Sequence, residues 1–414
     1  MPLPLDQVPN PNTVCVLPWT HINLIPRGKV YHCCMNSKLD HFIGDLNKDT
    51  LEEVWNSENM KTIRKQMLNG ERPAPCSKCF ESEDSSGNSH RLNQNKDFPD
   101  KLAEIPEITD PDGHVEKMDL QYWDFRFSNL CNLKCRTCGP EFSSAWIPDG
   151  KKLGWIKTNN SDKVLHTDSV DNVTNLDFII KHIDQVKKIY FAGGEPLLMD
   201  EHWQILDMLD AKQRYDVILS YNSNLSSLEY KGKNALDYWK KWKKHVWLWP
   251  SIDDFGPRAE LIRSGTNWPK VEENLKAIKT IGIHVRPSIT VSAMNVYRVP
   301  EILDKLIELG MMQDGESQSW FSINVVEYNP HFHVSILPDE TRRIIKEKIE
   351  KYILTHKETY GFNIRNKFLH LFWHLDKPWN KDMAQSFKTF TNQIDLLRDE
   401  KTIDIIPELR EVLE

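Results

Sequence analysis

The chain has 414 residues, of which 39% are hydrophobic and 27% charged, and its formal net charge is -7. This is the composition of a globular protein with a buried core, and the acidic balance leaves no footprint for nucleic acid or an anionic membrane. No stretch of about 18 apolar residues occurs, so no membrane span is expected. The opening Met1-Pro2-Leu3-Pro4-Leu5-Asp6 lacks the basic flank and apolar run of a secretion signal, so the expected location is cytoplasmic.

Residues 1–85 carry five of the eight cysteines and few regular apolar runs. A small, irregular, cysteine-rich module is expected there. Residues 86–118 read as a linker: the polar run that starts at Glu81 continues through Asn93-Gln94-Asn95-Lys96-Asp97, and a Pro/Asp/Gly-rich piece follows from Ile105 to Gly113. From 119 a rhythm begins. Strand-like runs stand at Trp123–Phe127, Lys188–Ala192, Val217–Tyr221, Val246–Ile252, Val285–Val291 and Trp320–Val326, and after the first gap they recur every 29 to 39 residues. That is the length of a βα unit. Helical spacing of apolar residues fills the intervals at His202–Leu209, Val271–Ile281 and Pro300–Leu309. Six strands alternating with helices over 119–337 predict a parallel α/β sheet, as a partial barrel or an open doubly wound sheet. Residues 338–414 read as a helical extension that begins at Pro338-Asp339-Glu340.

All eight cysteines precede residue 139, in two groups. In a reducing compartment such clusters point to metal or catalysis rather than disulfides. Cys131, Cys135 and Cys138 directly follow the first strand of the rhythm. Three thiolates at this spacing can wrap one face of an iron–sulfur cube and leave one iron open to another ligand. A structural zinc site is the alternative, but it takes four ligands and usually shows paired cysteines. In a parallel α/β barrel the loop after a strand lies on the active face.

Cys131-Asn-Leu-Lys-Cys135-Arg-Thr-Cys138 resembles the CxxxCxxC signature of the radical S-adenosylmethionine (SAM) superfamily. Thr137 departs from it, since the family usually has an aromatic residue there that packs on the adenine. Phe191-Ala192-Gly193-Gly194-Glu195-Pro196 closes the second strand, and Gly193, Gly194, Glu195 and Pro196 match the family GGEP motif, which holds the SAM amino group through backbone carbonyls. In Tyr221-Asn222-Ser223-Asn224, Asn222 matches the Asn of a TNG-like turn and Ser223 replaces its Gly. Ser251-Ile252-Asp253-Asp254, followed by Arg263, is similar to the SxDG…R stretch of a peptide-modifying branch, with Asp254 in place of Gly. The resemblance implies that Ser251, Asp253 and Arg263 contact the SAM ribose or carboxylate. It also implies a partial (β/α)6 radical SAM barrel and a [4Fe-4S] cluster on Cys131, Cys135 and Cys138. The chemistry implied is reductive cleavage of SAM to a 5′-deoxyadenosyl radical that abstracts hydrogen. Implied partners are SAM itself, a substrate with a peptide or protein side chain as the leading reading, and a reductant such as flavodoxin or ferredoxin. No catalytic residue is assigned.

The first group has its own pattern. Cys15, twelve residues, Gly28, four residues, Cys33 and then Cys76-Ser-Lys-Cys79 resemble the SPASM and twitch domains that carry auxiliary clusters beside radical SAM barrels. Here the module precedes the barrel. The resemblance implies a second [4Fe-4S] cluster on Cys15, Cys33, Cys76 and Cys79, with Cys34 as an alternative to Cys33 and zinc as an alternative to iron. The rival to an enzyme is a non-catalytic electron carrier or a zinc-stabilised interaction protein. The remaining conspicuous residues have structural readings: Trp123, Trp247, Trp249 and Trp320 as core, Lys240–Lys244 as a solvated helix end, and His331 and His333 as structural histidines.

Overall fold

The computed structural model describes residues 10–26, 28–36, 40–156, 180–311, 321–356 and 364–414. The chain divides into two units: Met1–Asn129 with Val164–Gly194 and Met199–Leu219, and Leu130–Lys163 with Glu195–Leu198 and Ser220–Glu414.

The first unit is built on strands β1 (His21–Leu24), β2 (Lys29–Tyr31), β3 (Gly44–Asp45), β4 (Tyr122–Phe125) and β5 (Lys188–Phe191), in the order β5-β4-β1-β2-β3. β4 runs parallel to both β1 and β5, while β1, β2 and β3 pair antiparallel. Every side chain of β1 and of β4 is buried, as expected for strands covered on both faces. The N-terminal module is therefore more ordered than its uneven hydrophobic pattern suggests. Val14, Leu17, Trp19, Ile22, Leu24, Val30, Met60, Ile63 and Met67 are all buried. Val14, Leu17, Trp19, Ile22, Leu24 and Val30 come from short strands and turns too brief to show a period, whereas Met60, Ile63 and Met67 line one face of the helix Glu58–Leu68. Gly28 makes the β1–β2 turn possible. Its φ is +84°, and a Cβ there would lie 2.4 Å from Asn47 Nδ2.

The stretch read as a linker from its polarity contains two helices, His90–Asp97 and Pro99–Ile108. Ser89 caps the first by accepting from the Leu92 amide, and its polar residues Arg91, Gln94 and Asn95 are buried. Asn95 accepts from the Val16 amide at 2.8 Å and donates to the Val14 carbonyl at 2.9 Å. Buried polar side chains that satisfy a backbone look like a linker in sequence.

β6 (Ile218–Ser223) starts in the first unit, where the Ile218 amide donates to the Lys187 carbonyl at 2.9 Å, and ends in the second. There the Ser251 amide donates to the Ser223 carbonyl at 2.9 Å. The second unit continues with a short hairpin, β7 (Glu229–Tyr230) and β8 (Lys233–Asn234), then β9 (Val246–Pro250), β10 (His284–Val285), β11 (Ser288–Val291) and β12 (Ser322–Val325). The pairs β9–β10 and β11–β12 are parallel. The single strand expected at Val285–Val291 is two strands, because Pro287 has no amide to donate and interrupts the ladder.

The expected helices form at Asp200–Ala211, Trp268–Lys279 and Val299–Glu308, each burying a stripe such as Val271, Leu275 and Ile278. The fold is thus α/β with parallel strands, and its C-terminal extension is helical at Asp339–Thr355, Ile364–Leu375 and Lys381–Arg398. Trp123 is fully buried as expected, but Trp247 and Trp249 are only half-buried. In β9 the alternation puts Val246, Leu248 and Pro250 inward, and Trp247 stacks on His284 instead, at 4.3 Å between ring centroids. Trp320 lies outside the described residues. Lys240, Lys241, Lys243 and Lys244 are exposed around a buried Trp242.

Candidate active site and auxiliary cysteine site

Cys131–Cys138 lies in the second unit, and its backbone is fixed from several sides. The Lys134 and Arg136 amides donate to the Ser264 and Ile262 carbonyls, each at 2.8 Å. Trp146 Nε1 donates to the Cys135 carbonyl at 2.9 Å, and the Cys131 amide donates to Ser144 Oγ at 3.2 Å. The Cys138 amide turns back to the Cys135 carbonyl at 3.0 Å. Cys135 is buried and the other two are half-buried. Burial pushes the Cys131 thiol up to about 11 and the Cys138 thiol up to about 12, and the neighbouring cysteines reinforce both shifts. The three thiols share one short loop, and Cys135 acts on both of the others. Such a group releases its protons when a cation binds to it.

Arg263 counters that repulsion. Its guanidinium donates to Asp253 Oδ2 at 2.8 Å, and Asp253 is anchored by the Thr290 amide at 2.8 Å. Burial alone would weaken the arginine's charge, but Cys135 and Asp253 outweigh it and hold Arg263 protonated. Ser251 pairs with Ser288 in a parallel bridge. The structure thus joins Asp253 and Arg263 directly.

Glu195 is buried, and its carboxylate is fully engaged. Oε1 accepts from Ser223 Oγ at 2.8 Å and Oε2 accepts from the Asn224 amide at 2.7 Å. Its own amide donates to the Leu130 carbonyl at 2.7 Å. Burial raises its pKa against these bonds. Glu195 therefore binds the end of β6 to the cysteine loop. Two side chains beyond β6 reach that loop: Asn224, whose Nδ2 donates to Asn132 Oδ1 at 3.1 Å and lies 3.9 Å from Cys131 Sγ, and Ser226, whose Oγ accepts from Asn132 Nδ2 at 2.8 Å. Asn222 is half-buried two positions earlier. The sequence singled out Asn222, and only the turn geometry brings Asn224 forward.

Gly193 and Gly194 fall in the first unit, Glu195 and Pro196 in the second. Gly193 has φ +112°, and a Cβ there would meet the Ser128 carbonyl oxygen at 3.3 Å. Only glycine takes that conformation without strain.

The extension contributes what the sequence did not reveal. Arg136, between two of the cysteines, is fully buried and donates to Asp395 and Glu400, each at 2.5 Å. Arg398 donates to Asp149 at 2.9 Å, which also accepts from Lys134 at 3.0 Å, and its guanidinium stacks 4.4 Å over the Trp146 ring. The last helices thus clamp the cysteine loop through charges more than 250 residues away. Breaking a buried pair leaves an uncompensated charge, at a cost of about 3 kcal/mol or more. An Asp395→Asn, Glu400→Gln variant should melt several degrees lower under anaerobic conditions and lose iron from this loop. Unchanged melting and iron would refute the clamp.

The second cysteine group lies wholly in the first unit. Cys15, Cys33, Cys76 and Cys79 line one small cavity with Leu17, His32, Met35, Met67, Pro75, His90 and Arg91. Cys34 does not line it. Cys76 directly precedes the helix Ser77–Ser86, which carries Cys79 in its first turn, and His32 Nε2 is 3.3 Å from Cys76 Sγ. Burial pushes the Cys15 thiol up to about 12 and raises Cys76 and Cys79 as well. Cys34 is drawn instead towards Cys33 and His90, which hold its thiol well below the usual range. Four thiols around an apolar hollow suit a fully ligated cluster.

Residues 125–298 match the model of the radical SAM superfamily, and residues 15–80 match that of SPASM, an iron–sulfur cluster-binding domain. This is a radical SAM enzyme. Its SPASM domain precedes the radical SAM domain, and the two domains bring a [4Fe-4S] cluster with SAM and an auxiliary iron–sulfur cluster respectively. The radical SAM enzyme is similar to a GTP 3′,8-cyclase of Aliarcobacter butzleri (strain RM4018), with 24% identity over 258 residues, 60% of this chain and 68% of the relative. Among solved structures it is similar to hexahistidine-tagged anSMEcpe with bound AdoMet, at 17% identity and a TM-score of 0.37, covering 57% of this chain. The chain spans 59% of that structure's length. It is also similar to Streptococcus suis SuiB bound to precursor peptide SuiA, at 12% identity and a TM-score of 0.37, covering 75% of this chain and 68% of SuiB. No helix among the described residues is long and apolar enough to cross a membrane.

Proposed function

We propose that Cys131, Cys135 and Cys138 ligate the SAM-binding cluster, that Cys15, Cys33, Cys76 and Cys79 ligate the auxiliary cluster, and that the substrate is a peptide or protein side chain. The observation that carries the first assignment is the three-thiol loop held by Glu195, Asn224 and the Ile262 and Ser264 carbonyls. No fourth cysteine follows in the chain, so one iron stays open for SAM. When bound, the cluster and SAM supply reductive cleavage and a 5′-deoxyadenosyl radical for hydrogen abstraction. The chain's own residues bind and orient. The carbonyls of Gly193 and Gly194 offer acceptors to the SAM amino group. Arg263, paired with Asp253, offers a cation to its carboxylate. Ser251 and Asn222 stand at the ends of neighbouring strands as further polar contacts. A low-potential donor such as flavodoxin or ferredoxin delivers the electron.

The peptide reading draws on the Ser251-Ile252-Asp253…Arg263 stretch and on a groove of ≈ 260 Å³ beside Cys138. Phe142, Trp155, Tyr328 and Phe390 line it, with Phe142 against Tyr328 edge-on at 5.6 Å and Trp155 stacked on Phe390 at 5.5 Å. Exposed aromatic walls suit a chain laid into a groove. The test uses the cluster-loaded enzyme with SAM, dithionite and cell extract grown on deuterated medium. Deuterium should enter 5′-deoxyadenosine, and pretreating the extract with protease should abolish it. Transfer from a protease-resistant, small-molecule fraction, or from GTP, would overturn the peptide reading.

A further inference from the structure

The helical extension gathers donor atoms that the SAM site does not use. His370 and His374 stand one turn apart on the helix Ile364–Leu375, so both rings leave the same face. Glu327 lies just beyond β12. His374 Nε2 is 3.2 Å from His370 Nε2 and 3.7 Å from Glu327 Oε1, and the three donor atoms lie within 4.8 Å of one another. Two ligands held about 2.05 Å from a tetrahedral zinc stand about 3.3 Å apart. The two imidazoles already have that separation. Towards His374 the carboxylate needs to close by a few tenths of an ångström, and Glu327, its side chain 64% exposed, has room to turn towards both imidazoles.

The buried member is oriented from behind. His374 is fully buried, its Nδ1 is 2.6 Å from His333 Nε2, and His333 Nδ1 is 2.7 Å from Ser335 Oγ. Hydrogen-bonded partners on the far nitrogen are what fix a ligating histidine. Without metal, the Ser335 amide donates to His333 Nδ1, which places protons on His333 Nε2 and His374 Nε2 and runs the chain towards His370. A cation at His374 Nε2 shifts each proton to the other nitrogen of its own ring. His374 then donates to His333, and His333 donates to the Ser335 hydroxyl in exchange for the bond it accepted from the Ser335 amide. No proton is gained or lost.

We propose that Glu327, His370 and His374 form a binding site for a divalent transition metal, zinc in the first instance, with its fourth position open to solvent. Two imidazoles and one carboxylate favour zinc over calcium or magnesium, which take oxygen ligands throughout. A metal here ties the extension to the loop after β12, independently of either cysteine group. The bland alternative is a chain of hydrogen-bonded histidines with no ligand.

The test takes the full chain with both clusters loaded and equilibrates it with zinc in a buffering chelator. Zinc and iron are then counted, and zinc-edge absorption reads the ligand type. About one zinc per chain with nitrogen and oxygen ligands is expected. His370→Ala should weaken zinc binding at least about tenfold with iron unchanged. Glu327→Gln, which alters an exposed group only, should also weaken it. No zinc on the wild type, sulfur in the zinc's ligand set, or wild-type zinc affinity in both variants would each overturn the proposal.

Discussion

Replacing Cys135 with alanine is expected to lower dithionite-driven 5′-deoxyadenosine formation by more than about 100-fold, since losing an outright ligand exceeds the 10- to 100-fold typical of losing a ligand's hydrogen-bond partner. The residue is buried and central to its loop, with its carbonyl accepting from both Trp146 Nε1 and the Cys138 amide. Removing its thiolate exposes a second iron and destroys the single defined position at which SAM can chelate. The five cysteines of the first unit are untouched, so about half the iron should remain, on the basis of about four per cluster. Because a core cysteine can matter for folding alone, Cys135→Ser serves as the near-isosteric partner. It should leave the second unit folded by hydrogen exchange and still fail to cleave SAM. Wild-type cleavage in either variant would remove Cys135 from the ligand set.

A Cys76→Ser, Cys79→Ser double variant should behave in the opposite way. Its iron should fall from about eight to about four per chain, and 5′-deoxyadenosine should still form, because the open iron and the SAM contacts lie on other residues. Turnover of substrate should be lost, either because the returning electron has no acceptor or because a substrate surface is gone. Both cysteines sit at the start of the helix Ser77–Ser86 and line the cavity with Cys15 and Cys33. Around that cavity lies a genuine core of Val14, Leu17, Trp19, Ile22 and Met67. New protease sites should therefore be confined to the cysteine-bearing segments rather than spread over the module, because burial of that core persists without metal. Undiminished iron would refute the ligand assignment. Loss of SAM affinity with the second unit intact by hydrogen exchange would refute the division of labour between the two groups.

The motifs were legible because each is local. The spacing of Cys131, Cys135 and Cys138, the glycines at 193 and 194 and the six-strand rhythm are all encoded by neighbours in the chain, where backbone period and turn chemistry act directly. Gly28 and Gly193 show this well: each has a positive φ that the residue type itself announces. Local errors were of one kind. Val285–Val291 has strand composition throughout, yet Pro287 splits it, and the polar stretch near 90 is a buried helix because its side chains satisfy backbone groups far away.

The sequence by itself determined the family: which cysteines fall together, which glycine motif closes the second strand, and that the SPASM domain comes ahead of the radical SAM domain. Tertiary structure alone decided which side chains hold that chemistry in place. Glu195 reaches Ser223 and Asn224, Arg136 reaches Asp395 and Glu400, and His374 finds His333 and Glu327 across tens to hundreds of residues. Such pairs carry no period and no fixed spacing. They are selected by the cost of leaving a buried charge or polar atom without a partner, and that cost exists only once the chain has folded around it.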